Sequence, residues 1–172
     1  MGGENLFQIC YEGDLTIEVC EALRYLSAEP NFDRSWQVLL PDDGTSQHLV
    51  AELDRMIGGD ARLLVARTYF STNRDYLLIR HSTTPGADYR ELHGGLSRLG
   101  TVLELPFEST FIVDTMNRAD VRMIGEVLAE LCPDESVMVI GIANDFAWSA
   151  GPAGVAGIGA SQGFQIVRPP EA

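Results

Sequence analysis

The sequence contains no lysine. All 12 of its basic residues are arginine, and they face 25 acidic residues, for a formal net charge of −13 over 172 residues. A chain so short of cations lacks the broad basic face with which proteins neutralise nucleic-acid phosphates or dock on anionic lipid. Cysteine is scarce too: Cys10, Cys20 and Cys132 stand far apart, with no CxxC pair. The histidines, His48, His81 and His93, are equally scattered, so no metal-ligand spacing is present. Residues 1–8 carry no basic start followed by a long apolar run, which predicts no secretory signal. Three unpaired thiols and no leader together predict a cytoplasmic protein. What the chain does have is apolar material, 45% of its residues. That is enough for a real core in one domain or two small ones.

The acidic charge is spread evenly. Residues 1–74 hold 12 acids and 6 arginines, and residues 75–172 hold 13 and 6. It therefore belongs to the folded body and not to an appended tail.

Residues 5–12 (NLFQICYE) are rich in strand formers, and residues 16–26 place Val19, Cys20, Leu23 and Leu26 on one helical face. Ser35–Leu40 reads as a strand, stopped by Pro41-Asp42-Asp43-Gly44. A helix with Leu49, Leu53, Met56 and Ile57 follows, then a strand over Ala61–Tyr69. The second half repeats the order. Tyr76–Arg80 is a strand and Pro85-Gly86 a turn; Tyr89, Leu92, Leu96 and Leu99 line a helix closed by Gly100. Thr101–Leu105 and Thr110–Asp114 are strands, and Asn117 with Asp120 caps a helix bearing Val121, Ile124, Leu128 and Leu131. Ser136–Ile142 is the last strong strand.

At a constant offset of 75, Phe32 meets Phe107, Trp36 meets Phe111, Val38 meets Val113 and Leu53 meets Leu128. Asp60 then meets Glu135, and Leu63-Leu64-Val65 meets Met138-Val139-Ile140. The shared apolar register, more than identity, predicts an α+β fold of two tandem βαββαβ units. The first covers residues 1–70 and the second 75–148, followed by a Gly/Ala-rich segment over 149–172 with an edge strand at Phe164–Val167.

Residues 75–148 supply a family resemblance. Their tyrosine-led opening strand (DYLLIRHS), the Pro85-Gly86-Ala87-Asp88-Tyr89 helix start and the Glu108-Ser109-Thr110 step into an aromatic-led strand resemble the ferredoxin-like superfamily of the second CRISPR-associated adaptation protein. The nearest likeness is to its SinR-like and VapD-like members. The resemblance implies antiparallel sheets with helices on one face, paired as a pseudo-dimer within one chain. In nuclease members an aspartate ending the first strand binds a divalent metal at the dimer interface. Here that position carries His81, followed by Ser82, and in the first half it carries Tyr11 or Glu12. A hard-oxygen metal site calls for carboxylates, so the substitution speaks against nuclease chemistry.

The expectation is an acidic, non-catalytic protein that binds a protein partner or self-associates, tied to defence or toxin–antitoxin systems by the resemblance alone. No cofactor is expected, and no membrane. Two alternatives stand beside it: a divalent-metal nuclease using Glu12, His81 and Ser82, and a small-molecule sensor or enzyme with a pocket between its sheets. Arg74 and Arg80, with Arg67 nearby in sequence, are candidates for a small anion-binding spot. Gly159-Ala160-Ser161-Gln162-Gly163 matches a nucleophile-elbow pattern, but no histidine follows position 93 to complete a triad. The uncharged residues 146–167 hold five glycines and a proline, which predicts a flexible loop ending in a strand and not a membrane helix.

Overall fold

A computed structural model of the chain describes residues 5–40, 44–58, 62–68, 76–103, 105–115, 121–150, 155–158 and 163–166. The architecture is α+β, with helices and antiparallel strands, and it divides into two compact units. One unit holds the described residues up to Thr68 together with those from Asn144 onward; the other holds the residues between.

In the first unit β1 (Leu6–Tyr11) leads into α1 (Ile17–Tyr25), then β2 (Glu29–Phe32), β3 (Ser35–Leu39), α2 (Ser46–Ile57) and β4 (Arg62–Thr68). The strands lie in the order β2-β3-β1-β4, every neighbouring pair antiparallel. Both helices begin on a threonine that withdraws one backbone donor from solvent. Thr16 Oγ1 accepts from Val19 N at 3.3 Å, and Thr45 Oγ1 from His48 N at 3.1 Å. Val19, Ala22 and Leu23 of α1 and Leu49, Val50 and Leu53 of α2 close on Phe7, Ile9, Val38, Leu63 and Val65. Burying each such large aliphatic contributes about 1.5–3 kcal/mol.

The second unit runs β5 (Tyr76–His81), α3 (Arg90–Leu99), β6 (Thr101–Val102), β7 (Thr110–Asp114), α4 (Val121–Leu131) and the start of β8 (Val137–Ala150). Its strands lie in the order β6-β7-β5-β8, again antiparallel. Leu92, Leu96, Ile124 and Leu128 cover Leu77, Ile79 and Val113.

Ladder register corrects the constant offset of 75 read from the sequence. Leu6 pairs with Leu39 and Tyr76 with Asp114, so β3 and β7 are related by 75 while β1 and β5 are related by 70. Tyr11 therefore takes in the first unit the place that His81 takes in the second. Glu12 lies one residue beyond the strand. The last strands are related by 74: Tyr11 pairs with Leu63 and His81 with Val137. Val137 and Val139, not Met138 and Ile140, thus occupy the helix-facing places of Leu63 and Val65. The cause is a connection one residue shorter between Leu128 and β8 than between Leu53 and β4; in a structure of period two, one residue changes the face.

The expected loop beginning at residue 146 is also corrected. β8 continues to Ala150, and β9 (Val155–Ile158) and β10 (Gly163–Ile166) extend it as an antiparallel meander. Phe146, Ala147 and Ser149 are fully buried, so the missing charge reflects strand burial and not a loop. Val167, Ser161 and the cap pair Asn117 and Asp120 lie outside the described residues.

Candidate functional site

The end of β5 gathers the densest set of chemically versatile side chains described. Leu77, Ile79 and His81 share the helix-facing side of the strand, and His81 is only 2% exposed. Its ring lies 4.6 Å from that of Tyr89, 6.0 Å from Phe111 and 6.2 Å from His93, centroid to centroid. His81 Nδ1 sits 2.7 Å from the carbonyl oxygen of Ser82. A carbonyl only accepts, so Nδ1 carries a proton and donates it to that oxygen. Nε2 is buried with no hydrogen-bond partner among the described residues.

Beside this box a carboxylate ties two loops together. Ser82 Oγ donates to Glu135 Oε2 at 2.6 Å, and the Tyr89 hydroxyl donates to Glu135 Oε1 at 2.9 Å. Ser82 Oγ in turn accepts from Ser136 N at 2.9 Å, and the Tyr89 hydroxyl accepts from Thr84 N at 2.6 Å. The Ser82 hydroxyl leads in holding the Glu135 carboxyl below its ordinary range, with Thr84, Tyr89 and the charge of His81 adding to it. Burial pushes the Tyr89 hydroxyl up and the His93 imidazole down. Burial, with Glu135 and Asp134, also pushes the Cys132 thiol up.

Ser82 Oγ thus donates one hydrogen bond and accepts another, and the Glu135 carboxylate is shared between Ser82 and Tyr89. Among the described residues, no group of three His, Cys, Asp or Glu side chains is disposed to hold a metal ion.

The low-held Glu135 carboxyl carries a testable pH signature. Its folded value lies below its unfolded one, so its stabilising contribution is present above the ordinary carboxylate range and lost as pH falls through the folded value. Glu135→Gln is expected to flatten the acid limb of the stability curve of the second unit, followed by amide exchange between pH 6 and pH 3. An acid limb as steep as that of the wild type would exclude the assignment.

The other candidates from the sequence fall elsewhere. Glu12 is half-buried just after β1, its N–H donating to the Arg62 carbonyl at 2.9 Å. It belongs to the first unit and His81 to the second. Arg80 is buried, on the face of β5 opposite the helices, with Nη1 2.5 Å from Thr110 Oγ1. Arg74 lies outside the described residues. Arg67 is committed: Nε donates to Asp145 Oδ2 at 3.0 Å, Nη1 to Asn5 Oδ1 at 2.9 Å and Nη2 to the Gly44 carbonyl, while its guanidinium lies over the Phe7 ring. It is a structural cation, not a free anion site. Trp36 packs against the first core and Phe111 against the second, as their strand positions predict.

Tyr89 and Glu135 were visible in the sequence as a helix-lining residue and a repeat position, not as partners. Their clue is weak: a carboxylate immediately before a strand, and a tyrosine at a helix start. Comparison of the chain with family models, curated proteins and solved structures returns no match. Among the described residues, no helix is long and apolar enough to cross a membrane.

Proposed function

We propose that the protein is a non-catalytic binding module built from two tandem ferredoxin-like units, a divergent relative of the adaptation-nuclease superfamily. Two sets of observations support the fold reading. Each unit has the order strand-helix-strand-strand-helix-strand, and in each the first strand lies between the third and the fourth.

One observation carries the functional reading: what stands at the strand ends. Where the family's nuclease members place a metal-binding aspartate, this chain has His81, 2% exposed and turned onto the Ser82 carbonyl, and Tyr11, 8% exposed. The Tyr11 hydroxyl donates to the Asp14 carbonyl at 3.1 Å. Both strand-end residues, His81 and Tyr11, are packed into their own units, and neither is the carboxylate that the family's metal site uses. The remaining asset is an acidic, lysine-free surface, suited to a basic partner.

The test is incubation of the pure protein with single- and double-stranded RNA and DNA in magnesium or manganese. No hydrolysis above the buffer blank is expected. Hydrolysis that disappears in Glu12→Ala or in His81→Ala would overturn the reading in favour of the nuclease.

A further inference from the structure

Of the four exposed large apolar side chains described in the first unit, three lie on one short segment, the fourth being Leu39 of β3. Ile17 is 72% exposed, Tyr25 74% and Leu15 49%, although Val19, Ala22 and Leu23 of the same helix are buried. Ile17, Glu21 and Tyr25 follow one another at spacings of four, so they line up along the solvent side of α1, with Glu18 beside them. Ile17 and Tyr25 are about 12 Å apart along the axis, with an acid midway between them. Asp14 stands near the start of the strip, and Arg24 is its one cation.

We infer that the outer face of α1 docks a basic amphipathic peptide. Its two apolar side chains cover Ile17 and Tyr25, and an arginine or lysine between them meets Glu21 and Glu18. This rests on the reading of the protein as a binding module and names the partner chemistry. Charge complementarity selects that occupant: the strip interleaves apolar and acidic groups, so an all-apolar partner would bury Glu21 uncompensated. Tyr25 adds an aromatic face on which a guanidinium can stack. Anionic lipid is repelled by the same acids.

The probe is a short labelled helical peptide with leucines eight positions apart and an arginine midway, titrated into the full chain by anisotropy. The control peptide has glutamate in place of that arginine. Binding of the arginine peptide is expected to weaken with salt and to fall about tenfold in Ile17→Ser/Tyr25→Ser. It is expected to be unchanged in Met123→Ser/Val127→Ser, which alters the exposed apolar pair of α4. Equal loss in both double variants, no loss in either, or no binding would overturn the proposal. Circular dichroism of each variant checks that it folds. Self-association of the wild type, abolished by Ile17→Ser/Tyr25→Ser, would also overturn it and give the face to a second copy. None of these outcomes bears on hydrolysis, so this proposal and the non-catalytic reading fail separately.

Discussion

Asp145→Ala is expected to destabilise the first unit by about 3 kcal/mol, because it removes the counter-charge and the Nε–H acceptor of a partly buried arginine and leaves a helix start without its acceptor. Asp145 Oδ2 takes the Arg67 Nε–H at 3.0 Å, and Oδ1 takes the Ser46 N–H, the first helical amide of α2, at 3.2 Å. Its own backbone carbonyl accepts from Ser46 Oγ at 2.9 Å. The two charged side chains are 23% and 10% exposed, too enclosed for water to replace the lost contacts in full. A carboxylate at a helix N-terminus also interacts favourably with the helix dipole. Asp145→Asn keeps an acceptor for Ser46 and loses the charge, so it should lose about half as much. Both tryptophans, Trp36 and Trp148, lie in this unit, so tryptophan fluorescence during urea unfolding reports on it. A midpoint for Asp145→Ala close to that of the wild type would show that the network carries no net stability.

That network explains what the sequence did not disclose. Arg67 and Asp145 are 78 residues apart, and Ser46 and Asp145 are 99 apart. No local periodicity connects them, and arginine is by default read as a surface cation or anion ligand. Several strands, by contrast, were legible where an apolar run met a turn signal: Thr110–Asp114 has the bounds read from the chain, and Ser35–Leu39 stops one residue short of them, but the strand read over Thr101–Leu105 is only Thr101–Val102. Strand β2, Glu29-Pro30-Asn31-Phe32, was not, because an exposed edge strand with a proline has no alternation to read. β8 was read short for another reason: Asn144-Asp145 interrupts its apolar run, and the uncharged stretch that begins at Phe146 leads into glycine-rich sequence, which resembles a loop until its burial is known.

The candidate site was half legible. His81 and Ser82 were singled out as a departure from an expected carboxylate, and the position proved to be packed into the core and hydrogen-bonded. What could not be read was that the nearest carboxylate, Glu135, arrives from the turn before β8 and binds Ser82 and Tyr89 together. Hydroxyl–carboxylate contacts across 46 and 53 residues have no spacing rule. They depend on the one-residue-shorter connection that sets the β8 register, and that shortening is itself invisible to an offset chosen from apolar matches.

Gly100→Ala should cost the second unit about 2–3 kcal/mol, while Gly94→Ala, on the same helix, should raise its stability by about 0.5–1 kcal/mol. The contrast isolates space from backbone freedom. Gly100 follows α3 with φ 164°, an extended conformation open to any residue, so conformation does not require glycine there. Close approach does. A Cβ at Gly100 would drive into the carbonyl oxygen of Asp114 and lie 2.9 Å from its carbonyl carbon and 3.0 Å from Thr115 Cα. All three are main-chain atoms at the end of β7, fixed by the pairing of Thr101 with Asp114, and cannot rotate aside as a side chain can. Relief must come from separating α3 from β7, which opens the core beneath Leu96 and Val113. At Gly94 a Cβ meets nothing within 4 Å, so alanine adds only helix propensity. Gly95→Ala falls between the two, because the obstacle there is the far end of the Leu131 side chain. Amide exchange of β5 and β7 resolves the second unit from the first. Equal protection in Gly100→Ala and the wild type would mean that β7 gives way without cost, and the close approach of helix end to strand would then not be what fixes α3 over the site at His81.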